Sequence, residues 1–125
     1  MIENTYPVAL SRLGDEDDTR EKQAERAITW LCKQSGGSIT VITPNKRFEN
    51  KAIEHLIRNA SVKHYTWRKT SGWNLTGRVL YAWPNREKLN ELEYYKLDAL
   101  AVIEWNEIPD WVGKAMPVIL LPNKK

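Results

Sequence analysis

From residue 38 onward the chain alternates short apolar segments with amphipathic ones, and no other feature constrains its fold as tightly. SITVIT (38–43), VKHYTW (62–67), RVLYAW (78–83), ALAVIEW (99–105) and PVILL (117–121) read as strands, rich in β-branched and aromatic residues. Between them the apolar period changes to that of a helix. Phe48, Ala52, Ile53, Leu56, Ile57 and Ala60 mark one face over 46–60. Leu89 and Leu92 do so in REKLNELEYYKL, and EIPDWVGKAM (107–116) carries Pro109 in its first turn. A helix also precedes the first strand. From Asp17 onward Ala24, Ala27, Ile28 and Leu31 share a face, acidic residues occupy the first turns, and Gly36-Gly37 supplies a stop. Residues 1–14 hold a Pro and a Gly with little periodicity, so they read as an irregular arm before a single α/β domain over 15–125.

Apolar strands alternating with amphipathic helices predict a parallel sheet between helical layers. The segment 62–67 alternates Val62, His64 and Thr66 with Lys63, Tyr65 and Trp67, the pattern of a half-exposed edge strand. With right-handed crossovers, this favours a mostly parallel five-stranded sheet of order 2-1-3-4-5 with helices on both faces. Such a three-layer architecture resembles Rossmann-like and flavodoxin-like folds. The stretch RKTSGWNLTG, between 62–67 and 78–83, has loop chemistry where such folds place a helix. Its length suits either a parallel crossover or a hairpin. Val41, Ile42, Leu80, Ala101, Ile103 and Ile119 are the expected core.

Cys32 is the lone cysteine, which excludes an intrachain disulfide. The opening MIENTYPVALSRLGDEDD lacks a basic-then-apolar leader, and no apolar run reaches the roughly 20 residues that span a bilayer. A cytoplasmic protein is expected. The net charge of +3 hides an uneven distribution. Glu3, Asp15, Glu16, Asp17, Asp18, Glu21 and Glu25 crowd residues 1–27. Lys46, Arg47, Lys51, Arg58, Lys63, Arg68, Lys69 and Arg78 oppose only Glu49 and Glu54 over 43–78. That asymmetry suits an anionic partner, although an acidic arm neutralising a basic middle would also account for it.

Three strands run into Pro-Asn and a basic residue: ITVITPNKR, VLYAWPNRE and PVILLPNKK. Pro ends strand pairing because it lacks an N–H, and Asn caps a following helix. Turn chemistry therefore explains Pro-Asn at 44–45 and 84–85. It does not explain Lys46 and Arg86, which would then fall in a first helical turn, where a cation is unfavourable unless an anion docks. Trp67, Trp83 and Trp105 each close a strand, and Trp73 lies among polar residues close to Arg68 and Lys69. The Trp that close strands suit an apolar cap on the sheet edge, and Arg47, Lys51, His55 and Arg58 suit a solvated helix face. Aromatic rings interleaved with cations also suit bases and phosphates. The candidate anion or nucleic-acid site is thus Lys46, Arg47, Arg68, Lys69, Trp73 and Arg86.

Catalytic signatures are absent from the chain. It has no Gly-x-x-x-x-Gly-Lys-[Ser/Thr], no Gly-x-Gly-x-x-Gly and no Gly-x-Ser-x-Gly. His55, His64 and Cys32 lack the spacing of zinc ligands, so neither a metal nor a cofactor is expected. Glu104 ends an apolar strand, and with Glu107 and Asp110 nearby it is a candidate base or Mg²⁺ ligand. The leading expectation is a non-catalytic binding domain for nucleic acid or a nucleotide-like ligand. The alternatives are an enzyme on a nucleotide-like substrate using Glu104 and Asp110, and a structural or protein-interaction domain of a larger assembly.

Overall fold

The computed structural model describes residues 6–12, 14, 18–44, 50–59, 61–66, 77–83, 97–104 and 118–120. The strands are β1 (Val8–Ser11), β2 (Ile39–Thr43), β3 (Lys63–Thr66), β4 (Arg78–Ala82), β5 (Ala99–Ile103) and β6 (Val118–Leu120). The helices are α1 (Arg20–Cys32) and α2 (Lys51–Ile57). All six strands form one sheet of order β3-β2-β4-β5-β1-β6, and each neighbouring pair is parallel. The α/β class and the mostly parallel sheet agree with the sequence. So does β3 at an edge.

Strand count and order need correction. The five strands read from sequence keep their relative order, but a sixth enters between β5 and β6. That strand is β1, within the segment read as an irregular arm, and all four of its residues are buried. It pairs Val8 with Leu100 and Ala9 with both Ala101 and Val118. The hairpin alternative is also excluded, because β3 and β4 flank β2 and each runs parallel to it. Ile119 was expected in the core but is 44% exposed, since β6 forms the second edge.

Side-chain alternation splits the core into two layers. Val8, Leu10, Ile42, Val79, Tyr81, Leu100 and Val102 share one face. Ile39, Val41, Leu80, Ala82, Ala101 and Ile103 share the other, where Ala24, Ala27 and Leu31 of α1 and Ile53 of α2 cover them. Small residues at 24, 27, 82, 99 and 101 let α1 approach the sheet closely. Both helices lie on this face because β1→β2 and β2→β3 both progress toward the β3 edge, and right-handed crossovers then share a side. The helix expected over 107–116 lies outside the described residues, as does the one expected over 86–97 except for Leu97, which is buried in the layer of Val8 and Tyr81 and is not helical.

Helix ends depart from the sequence reading in two places. Asn50, in extended conformation, accepts from Ile53 N–H at 3.1 Å and caps α2, so Asn45 is not its cap and Lys46 is not in its first turn. Gly36-Gly37 does not end α1 directly. The helix stops at Cys32, and the Arg78 guanidinium donates to the carbonyls of Leu31, Cys32, Gln34 and Gly37 at 3.3, 3.4, 3.2 and 2.9 Å. The last turn of α1 has no basic residue of its own, so Arg78 supplies the positive charge that its C-terminus favours. Gly77 precedes it at φ 77°, with Ser38 O where a Cβ would stand, 2.5 Å away. Only glycine fits there.

Candidate functional site

Six parallel strands release the chain at one edge, and the described residues of that edge form two groups. Along the first, Thr43 Oγ1 and His64 Nε2 share a hydrogen bond of 2.7 Å across β2 and β3. Trp83 follows β4, donating its N–H to Ile103 O at 3.1 Å and packing half-buried on the α1/α2 layer. Thr43 and Thr66 face each other in register, both buried.

The second group joins the ends of β1 and β5 to the start of α1. The fully buried Gln23 amide donates to Ser11 O at 3.0 Å and Glu104 O at 3.1 Å, while Ser11 Oγ donates to Gln23 O at 2.7 Å. One side chain thus supplies a donor to carbonyls at the ends of both β1 and β5, in addition to the Glu104 N–H that Ser11 O accepts. Arg12 grips both oxygens of Glu104, from Nε at 2.8 Å and Nη2 at 3.3 Å, and this contact raises the Arg12 pKa. Arg26 holds Asp18 at 2.6 and 2.9 Å and donates to Arg12 O at 2.9 Å. Asp18 also accepts from Gly14 N–H at 2.7 Å and Thr19 N–H at 3.0 Å. Its pKa falls to about 2, chiefly through the hydrogen bonds from Arg26. The loop after β1 therefore carries its own anion, bound by backbone N–H groups and a guanidinium.

This arrangement bears on Glu104. With both oxygens engaged by Arg12, the carboxylate acts as a tie between β1 and β5. Among the described residues no three His, Cys, Asp or Glu side chains gather as a metal site would require. Asp110, the other acidic candidate, lies outside those residues, as do Lys46, Arg47, Arg68, Lys69, Trp73 and Arg86. The stripe Lys51, His55 and Arg58 is exposed on the outer face around α2, as a solvated helix face should be. Arg78, by contrast, belongs to the opposite edge and the end of α1.

Two features of this edge escape sequence reasoning. The network of Arg12, Gln23, Arg26 and Asp18 depends on β1, whose four residues give no periodicity to recognise. Trp83 has φ 51°, a left-handed backbone with no sequence signal in a residue other than Gly, Asn or Asp. Comparison with known proteins finds no matching family model, no similar curated protein and no similar solved structure. No helix among the described residues is long and apolar enough to cross a membrane.

Proposed function

We propose that this chain is a non-catalytic binding domain that holds an anionic partner, a nucleic acid or a nucleotide-like ligand, on the C-terminal edge of its sheet. The observation that carries the reading is the adjacency and parallel run of β3, β2 and β4. Each hands the chain on at the same edge, and basic residues follow within a few positions: Lys46 and Arg47 after β2, Arg68 and Lys69 after β3, Arg86 after β4. Covalent reach of about 3.3–3.6 Å per residue ties these cations to neighbouring strand ends. On the β1/β5 half, Arg12 and Arg26 are matched by Glu104 and Asp18. In this reading the cations that follow β2, β3 and β4 give the β3-β2-β4 half a positive character that suits phosphate. The segments 86–97 and 107–116 complete a three-layer, Rossmann-like arrangement in this proposal, since right-handed returns from β3 toward β6 run on the face opposite α1.

The test titrates a labelled single-stranded oligonucleotide, a mononucleotide and inorganic polyphosphate at low and moderate salt. Binding should weaken with salt. Arg68→Glu with Lys69→Glu should lower the affinity and flatten that dependence, by a slope of about 0.7 for each phosphate no longer neutralised. Trp73→Ala should weaken oligonucleotide binding by about 1–3 kcal/mol. Failure of all three probes to bind at low salt would overturn the reading.

A further inference from the structure

Helix α2 turns its apolar residues one way and its cations the other. Ala52, Ile53, Leu56 and Ile57 pack into the layer between α1 and the sheet. Lys51, His55 and Arg58 fall on the opposite side of the helix, within an arc of about 60°, and all three are exposed. From Lys51 to Arg58 the stripe runs about 10 Å along the helix. Beyond it, Val62 N–H donates to Asn59 O at 3.0 Å and Ser61 N–H to Asn59 Oδ1 at 3.0 Å, so Arg58 and the exposed Lys63 flank one tight turn. The cations thus continue from the helix to the opening of β3.

The fold does not neutralise this line of charge. Among the described residues most carboxylates are committed elsewhere. Both oxygens of Glu21 accept from the first N–H groups of α2, Lys51 at 2.9 Å and Ala52 at 3.2 Å. Asp18 is held by Arg26 and Glu104 by Arg12, and Asp98 accepts from Gly37 N–H at 2.8 Å. Glu54 stands three residues from Lys51 and four from Arg58, the spacing of a helical ion pair. Yet among the described residues neither cation is ion-paired.

We propose that the outer face of α2, with Lys51, His55 and Arg58, is a contact surface for the phosphate backbone of a nucleic-acid strand. No apolar residue of α2 is exposed. The face therefore lacks the apolar anchor on which a protein interface centres, and the apolar stripe by which a surface helix enters a membrane. What it offers is positive charge repeated along a line. A strand with regularly spaced phosphates matches that line, and its condensed counterions are released on binding. The proposal shares the nucleic-acid partner of the reading above but none of its residues, so it stands whether or not the sheet edge binds.

The experiment measures binding of a labelled single-stranded oligonucleotide, a mononucleotide and polyglutamate across a salt series, for the full chain and its variants, with thermal unfolding of each. Arg58→Glu and Lys33→Glu form a matched pair, since each reverses one exposed charge at a helix C-cap. Arg58→Glu should weaken the oligonucleotide and make its salt slope shallower by about 0.7, the share of one phosphate contact. Lys51→Gln with Arg58→Gln, a milder change for the fold, should make it shallower by about 1.4. Lys33→Glu should leave the slope at the parent value. The mononucleotide is too short to run along α2 and should bind all of these alike. Equal weakening by Lys33→Glu and Arg58→Glu would reduce the effect to net charge and overturn the proposal. Polyglutamate bound as tightly as the oligonucleotide would assign the face to an acidic polypeptide and overturn it too. If Arg68→Glu with Lys69→Glu weakens the oligonucleotide and Arg58→Glu does not, the edge reading stands and this one falls. The reverse result leaves α2 as the binding surface without the edge. A parent chain that binds no oligonucleotide at low salt ends both readings.

Discussion

At the scale of single residues, the charged groups with the best-defined partners are the ones that fasten helix ends. Arg78 reaches four carbonyls around the end of α1 with one guanidinium. Arg78→Ala leaves those acceptors short of a charged donor and should cost about 1.5–3 kcal/mol in urea unfolding. Arg78→Lys should recover only part, because an ammonium cannot span the same fork of acceptors. Asp18 makes the corresponding contact at the start of α1. Its folded pKa of about 2 lies below the usual 3.8, so the carboxylate binds protons less readily in the native state. The stability it contributes is complete above the unfolded value and drains away as pH falls through the folded one. The difference in stability between parent and Asp18→Asn should therefore shrink from about pH 4 toward pH 2, the range set by those two values. A difference constant over that range would mean the ion pair with Arg26 contributes nothing.

At the scale of elements, what was legible in the sequence follows pattern length. β2, β4 and β5 are runs of five residues, each followed within two positions by Pro, Trp or both, and their period identifies them. α1 was legible too, because Ala24, Ala27 and Leu31 repeat at helical steps. β1 was not. VALS is four residues long between Pro7 and an acidic loop, and its core role comes from partners about 90 and 110 positions away in sequence. The site suffered in the same way: cations near strand ends could be read, but the Arg12–Glu104 and Arg26–Asp18 ties could not be found without β1. Leu10 discriminates between an arm and a strand. On a surface arm Leu10→Ala would change stability by less than about 0.5 kcal/mol. Buried to 6% exposure in the layer with Val102, it should cost about 2–5 kcal/mol, read from the denaturant midpoint.

At the scale of the whole molecule, one strand joins the two ends of the chain. β6 has β1 as its neighbour, and β1 stands between β6 and β5, so the sheet closes on that side only when residues 8–11 arrive. Their backbone hydrogen bonds extend past the strand itself. Leu100 N–H donates to Pro7 O at 3.0 Å, Glu104 N–H to Ser11 O at 3.0 Å, and Arg12 N–H to Leu120 O at 3.1 Å. Gln23 and Arg26 then fix α1 to the same strand end. Removing residues 1–11 would leave β6 without a partner, strip one side of β5 of its hydrogen bonds and uncover α1's polar anchors. Each unpaired buried backbone group costs free energy comparable to a missing hydrogen bond, and several would go unpaired at once. The truncated chain should therefore lose its cooperative thermal transition, followed by circular dichroism, and not merely melt a few degrees earlier. A chain lacking residues 1–5 keeps Tyr6 and all of β1 and should retain that transition. A sharp transition in the chain lacking residues 1–11 would mean that β5 and β6 can close the sheet against each other, and that β1 is the dispensable arm its sequence suggests.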